Sequence, residues 1–302
     1  MYKSYHSLCG WTARSWDIRL VWFQAGLHLL SIIENAYPRL GHNIVNFPAK
    51  HILLVTINRP EFRNCLPDEA TIELGALWKW YDAEPELHCA VFTGAGQKAS
   101  CAGMYLKQRL DIINTNDVAH EYPQGGFGGM TNRTGKKPII IACNGHAHGG
   151  VFEIVLNADV IFASPNATFC LPEVLRGVSA LAGALPRAML LFGNHRTMDL
   201  ILTRRRMSVQ EAVDWGLVKE IVPQERLLQR AIDYAQEIAA NSPDSVIISR
   251  LGAREVWETG VSRATMRGQE LYAEAMLRSK NAAEGLAAYR EKRDPRWLPS
   301  HL

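Results

Sequence analysis

The chain has 302 residues, of which 47% are hydrophobic and 21% charged, enough to bury a substantial core in one main domain with an appendage. A formal net charge of +3 is too small to imply a nucleic-acid partner by itself, and no apolar stretch reaches the roughly 20 residues of a membrane span. The six cysteines, Cys9, Cys65, Cys89, Cys101, Cys143 and Cys170, form no Cys-x-x-Cys pair and sit mostly in apolar runs, the pattern of reduced thiols in an intracellular protein.

Residues 1–45 differ from the rest. Trp11, Trp16, Trp22 and Phe23 are interleaved with Lys3, Arg14 and Arg19, and Asp17 is the sole acid before Glu34. A basic, acid-poor, amphipathic start has the composition of a mitochondrial presequence; an added packing helix and a wrongly joined first exon are the alternatives. Residues 51–57 (HILLVTI) read as the first strand, ended by Asn58-Arg59-Pro60 because proline cannot continue a central strand. Residues 67–82 predict a helix with Ala70, Leu74, Leu77, Trp78 and Tyr81 on one stripe. Residues 90–93 predict a short strand, closed by Gly94-Ala95-Gly96. That order of elements indicates an α/β domain. The Gly-x-Gly has no third glycine three positions on, so it is not a dinucleotide fingerprint.

The small residues of 100–104 (SCAGM) read as a turn where backbone could approach a ligand. Residues 111–137 are polar and glycine-rich, too long for an ordinary connection, and predict a disordered segment or a lid. Lys136 and Lys137 read as solvated, with an anionic ligand as the alternative. Residues 138–143 then form an apolar strand, followed by a turn at Asn144-Gly145 and the pair Gly149-Gly150. A short apolar helix over 151–158 carries one carboxylate, Glu153. A second strand over 159–163 leads to another isolated carboxylate, Glu173, directly after a proline. Glycines at a helix start leave backbone N–H groups able to face an anion, and the two carboxylates could move protons. His146 and His148, two apart, share one side of an extended segment; without further ligands they do not make a metal site, leaving pocket lining or packing.

In the C-terminal half, Arg204-Arg205-Arg206 reads as a solvated turn or a phosphate contact, and Ser208 to Glu211 is a capping-box pattern. Residues 225–240 predict an amphipathic helix with Leu228, Ala231, Ile232 and Ala235 on its apolar stripe. Ser242-Pro243 predicts an N-cap and first turn of a helix through Trp257, and 263–291 is further helix. The expected division is an extension over 1–45, an α/β core over 46–240 and a helical region over 241–302.

Four segments, in order, resemble the crotonase superfamily, the enoyl-CoA hydratase/isomerase family. They are Asn58-Arg59-Pro60-Glu61; Gly94-Ala95-Gly96 through Ala102-Gly103; Lys137-Pro138 through Asn144-Gly145-His146-Ala147-His148-Gly149-Gly150-Val151-Phe152-Glu153; and Leu171-Pro172-Glu173. A fifth, residues 208–218 (SVQEAVDWGLV), is similar to the family's helix after the core. The resemblance covers about residues 48–295 and is nearest in flavour to fungal peroxisomal members, some of which serve siderophore or toxin acyl-chain synthesis.

The resemblance implies a crotonase-type ββα spiral with a C-terminal helical region, trimers paired into hexamers, and an acyl-CoA substrate with no metal or redox cofactor. It places the thioester carbonyl between the backbone N–H groups of Ala102 and Gly150, with Ala102, Gly103, Met104, Tyr105, Gly149, Gly150 and Leu181 against the substrate. Glu153 and Glu173 match the two catalytic glutamates of the hydratases, Glu173 as the proton donor to carbon and Glu153 as the base toward water. Both acids favour hydration over double-bond isomerisation, the alternative activity. A silent crotonase-fold protein binding RNA would need a lysine-rich helix face, which this sequence lacks. The sequence departs from the hydratase pattern at Met104, at Tyr105 in place of an aspartate, at Val151 in place of a third glycine, and at Ala180-Leu181 in place of Pro-Gly. Arg187 matches a family arginine near the site. The terminal Ser300-His301-Leu302 keeps the small–basic–leucine character of a peroxisomal address, so the peroxisome is the expected location and the mitochondrion the alternative.

Overall fold

A computed structural model describes residues 37–114 and 125–302. Residues 1–36 of the expected extension, with Cys9, lie outside the described residues, as do residues 115–124. Residues 37–302 form one compact unit. Its first strand, β1 (Asn43–Ala49), begins before the expected strand and spans the expected boundary at residue 46. Its alternating burial is that of an edge strand, and it pairs antiparallel with β2 (Ile52–Ile57).

The helix α1 (Asp68–Ala83) buries Ala70, Leu74, Leu77, Trp78 and Tyr81, the predicted stripe. Beyond it the chain winds in a repeating pattern. It lays one parallel strand in a large sheet, one in a small sheet, and then a helical segment, three times over. The first turn is β3 (Cys89–Gly94), β4 (Ala99–Cys101) and α2 (Leu106–Asn114). The second is β5 (Ile139–Cys143), β6 (His146–His148) and α3 (Gly150–Asn157). The third is β7 (Val160–Ala163), β8 (Thr168–Cys170) and the 3₁₀ turn Glu173–Arg176. The result is a mixed α/β ββα spiral. Its large sheet has the order β1-β2-β3-β5-β7-β10, with β10 at Glu220–Ile221, and its small sheet β4-β6-β8-β9, with β9 at Met207–Ser208.

Buried asparagines lock the crossings between the sheets. Asn144 Nδ2 donates to the Gly94 and Gly96 carbonyls, each at 2.6 Å, and its Oδ1 accepts from Ser100 Oγ at 2.9 Å. Asn64 Nδ2 donates to the Ala95 and Ala99 carbonyls at 2.8 Å. The segment 100–104, read as a turn, is therefore partly strand: β4 pairs with β6, and Met104 bridges Leu66.

The described part of the glycine-rich connection is neither lid nor open loop. Phe127–Gly129 is a buried 3₁₀ turn, and the Gly128 carbonyl accepts from Trp78 Nε1 at 3.0 Å. Lys137, expected to be solvated, is 3% exposed. Its Nζ donates to the Tyr81 carbonyl at 2.8 Å and to the Glu84 carbonyl, and burial pushes its pKa down to about 7.

After α4 (Ala184–Phe192) and α5 (Asn194–Thr203), Ser208 caps α6 (Val209–Asp214) through a reciprocal box with Glu211. Arg205 is not simply solvated; it pairs with Asp199 and Glu211. The helix α7 (Gln224–Ala239) packs on the large sheet through Leu227, Ala231, Ile232, Ala235 and Ala239. Leu228, placed on that stripe by the spacing, is exposed instead, since the four-residue step from Leu227 to Ala231 sets the buried row. Ser242 caps α8 (Pro243–Thr259) as expected. The further helix divides into α9 (Val261–Leu277) and α10 (Lys280–Glu291), because Ser279 turns out of the helix to cap the second. The tail folds back onto buried Asp244, which accepts from Ser279 Oγ at 2.6 Å, Asn281 Nδ2 at 3.0 Å and Ser300 Oγ at 2.5 Å. His301 lies 3.4 Å from the same carboxylate, and Lys136 donates to the Leu302 carbonyl.

Candidate active site

The ends of β4, β6 and β8 lie side by side in the small sheet, so the segments that follow them converge. Gly149 has φ +64°, and its N–H donates to the Cys170 carbonyl at 2.9 Å, tying the start of α3 to the end of β8. Gly103 has φ +92°, and a Cβ there would lie 2.9 Å from the His148 carbonyl oxygen and 3.6 Å from the Gly150 nitrogen. Only a bare backbone allows this approach. Gly150 opens α3, so its N–H has no intrahelical acceptor and sits at the positive end of the helix. A Cβ on Gly150 would lie 2.6 Å from the Phe127 ring, which walls the helix start.

The expected donor Ala102 is corrected. Its N–H is committed to the Arg63 carbonyl at 3.0 Å, and the Gly103 N–H faces Cys101 Sγ at 3.4 Å. The Leu66 N–H donates to the Gly103 carbonyl and the Tyr105 N–H to the Leu66 carbonyl, both at 3.0 Å. In a parallel bridge the residue between two such bonds turns its own N–H away from the partner strand. Met104 therefore turns its N–H away from Leu66. This orientation leaves no trace in side-chain chemistry, because the register with Leu66 decides it.

Glu153 lies on the first turn of α3 and is 4% exposed. Its Oε2 accepts from the Ala184 N–H at 3.0 Å, and the Ala182 N–H also donates to the carboxylate. Burial raises its pKa above the usual carboxylate value; these two amides and the Arg187 guanidinium oppose the rise. Glu173 opens the 3₁₀ turn after Pro172, with Oε1 3.3 Å from where a Gly149 Cβ would be. Its Oε2 is buried without a hydrogen-bond partner among the described residues. Burial pushes its pKa up to about 7; its own backbone N–H opposes the shift and the Glu153 charge adds to it. Two carboxyl groups of unlike environment thus lie within electrostatic reach of each other near the start of α3.

The other expected residues divide. Tyr105 packs edge-on against Phe62, with the Arg59 guanidinium over both rings, 4.8 Å from Phe62 and 5.2 Å from Tyr105. Leu181 is 81% exposed, so its side chain lies outside the enclosed part of the site; the amides of its neighbours Ala182 and Ala184 are what enter. His146 Nδ1 and His148 Nε2 both meet Thr168 Oγ1, at 2.8 and 2.9 Å. Burial, with His146 and Arg206 adding to it, holds His148 down to about 4, so it is neutral at physiological pH. Among the described residues no group of three His, Cys, Asp or Glu side chains is placed to hold a metal ion.

The sequence profile of the enoyl-CoA hydratase/isomerase family matches residues 48–299. The chain belongs to that family. Its members of known structure include enoyl-CoA hydratases from Mycobacterium tuberculosis H37Rv and Bacillus anthracis. Each superposes with a TM-score of 0.77, at 30% and 29% identity, and the match covers 86% and 85% of this chain and 99% of each of theirs. Among family members compared by sequence, the mevalonyl-coenzyme A hydratase of Aspergillus fumigatus is 41% identical over 268 residues, 88% of this chain and 98% of its own. The carnitinyl-CoA dehydratase of Escherichia coli K12 is 33% identical over 250 residues, 82% and 94% of the respective chains. The crotonase-type fold expected from the motifs is the fold observed, and its acyl-CoA ligand class is that of the family.

Proposed function

We propose that the protein is a hydro-lyase that adds water to, or removes it from, the α,β bond of an acyl-CoA thioester. The observation that carries this is the pair Glu153 and Glu173, brought from successive turns of the spiral within electrostatic reach of each other at the start of α3. In hydration, Glu153 takes a proton from water as its oxygen bonds the β-carbon. The electrons of the double bond move toward the thioester carbonyl, and Glu173 delivers a proton to the α-carbon. The enolate-like oxygen formed between these steps faces the Gly150 N–H at the start of α3. Donors fixed before reaction stabilise such charge without reorganising. Dehydration runs the same steps in reverse. The reaction needs no electron carrier or metal, so no cofactor beyond the CoA of the substrate is proposed.

For the acyl chain we favour a branched, mevalonyl-type group, on the strength of the similarity to fungal mevalonyl-coenzyme A hydratases, and with it a role in secondary metabolism. A homo-oligomer is proposed from the large apolar side chains left on the outer faces of α9 and α10, Leu277 at 87% and Tyr289 at 86% exposed among them. Peroxisomal location is proposed from Ser300-His301-Leu302. The deciding experiment follows loss of conjugated-thioester absorbance over straight-chain and branched enoyl-CoA substrates, with Glu153→Gln and Glu173→Gln alongside. Turnover that needs both glutamates supports hydration. Double-bond migration surviving the loss of one glutamate would replace that reading with isomerisation.

A further inference from the structure

Arg187 is unusual among the arginines of the described residues. It sits one turn into α4, and its guanidinium folds back over Gly183, the residue before that helix. A Cβ on Gly183 would overlap Nη1, and Gly183 has φ +105°, so the arginine occupies a space left by a residue that needs to be glycine. The Arg187 N–H donates to the Gly183 carbonyl at 3.4 Å, closing the turn. Nη1 is buried without a hydrogen-bond partner among the described residues. The turn beneath it, 182–184, is the one whose amides hold Glu153.

We infer that Arg187 is the positioning residue that keeps Glu153 a carboxylate and thereby divides base from acid between the two glutamates; this rests on the hydratase reading above. The guanidinium makes no ion pair with Glu153 at contact distance but lies within its electrostatic reach. The two groups act on each other in the expected directions: the arginine lowers the carboxyl pKa and the carboxylate raises that of the arginine. Glu173 receives no such support and meets only burial, its own N–H and the Glu153 charge. The same fold therefore supplies one carboxyl with a cation and two amides and leaves the other without them. The charged groups facing Arg187 from the neighbouring helix α8 are Glu258, which draws on the same positive charge, and Arg254, which opposes it. Glu153 is faced by Arg187 from α4 and Glu173 from the 3₁₀ turn.

The test is the acidic limb of the pH profile of kcat/KM for hydration, which follows ionisation of Glu153. Arg187→Met raises that limb by about one unit, the lower end of the effect of an adjacent opposite charge, whereas Arg187→Lys keeps it near the wild-type position. The alkaline limb, set by Glu173, stays in place in both. If Arg187→Met lowers the melting temperature but leaves the acidic limb where it was, the arginine is only a packing residue and the inference fails. If that variant does not fold, Glu258→Gln serves: freeing the arginine from a competing carboxylate moves the limb downward, and an unmoved limb overturns the inference. Two controls separate the levels: no hydration of any enoyl-CoA by the wild-type protein would refute the hydratase reading itself, whereas hydration at wild-type rate in Glu153→Gln would refute only the base role on which the inference rests.

Discussion

Glu173 carries its proton near neutral pH because its carboxyl is buried beside Glu153 with one oxygen unpartnered. Only the protonated form can give a proton to the α-carbon. The expected pH profile of hydration therefore falls as pH rises through about 7, measured as kcat/KM. The linkage to folding has the same sign. A carboxyl whose folded pKa is raised favours the folded state below its ordinary value of 4.5 and loses that contribution as pH climbs to about 7. Glu173→Gln is expected to be more heat-stable relative to wild type at pH 8 than at pH 5, and essentially inactive at both, with a loss on the order of 10³-fold. Gly150→Ala tests the oxyanion position. Its methyl would press into the Phe127 ring and shift the helix start, and we expect a loss of about 100-fold in kcat with the fold retained by circular dichroism. At this scale the glutamates were legible in the sequence, since an acid in an apolar run announces itself. The amides were not. The motif points to Ala102, but the bond from its N–H to the Arg63 carbonyl belongs to the backbone.

Helices with a clean period were readable, α1 to within a residue at each end and α7 apart from the phase of one leucine. Burial of Leu227 rather than Leu228 gives a sharp test. Leu227→Ala should cost about 2–5 kcal/mol of unfolding free energy and Leu228→Ala less than about 0.5 kcal/mol, read by urea denaturation. The Ser208 cap is a second. Ser208→Ala should cost about 1 kcal/mol with kcat unchanged, because the cap sits at the far end of β9 from the glutamates. The three-residue strands β4, β6 and β8 escaped notice because they are too short to show a period. The pattern of β1, NIVNFPA, alternates once its burial is known, but its asparagines and proline hid it. Residues 125–129 misled for a related reason. Their glycines are not marks of looseness but the means by which a turn packs against α1 and the start of α3.

Across the whole molecule, the exposed apolar side chains on α9 and α10 predict assembly. Sedimentation velocity should give a mass several times the 33.8 kDa of one chain, and Leu277→Glu with Tyr289→Glu should shift it toward the single chain. The overall architecture was foreseeable only through family motifs, since periodicity alone indicates alternating strands and helices and not their winding. That winding has a kinetic consequence. In the large sheet the strands β2, β3, β5, β7 and β10 stand in chain order, so each turn can dock on the turn before it, much as successive repeats do in a solenoid. The chemistry does not share this gradual assembly. Gly150 and Glu153 leave the second turn, and Glu173 the third. During refolding from denaturant, ellipticity should return ahead of activity, and the lag would time the arrival of β8 beside β6.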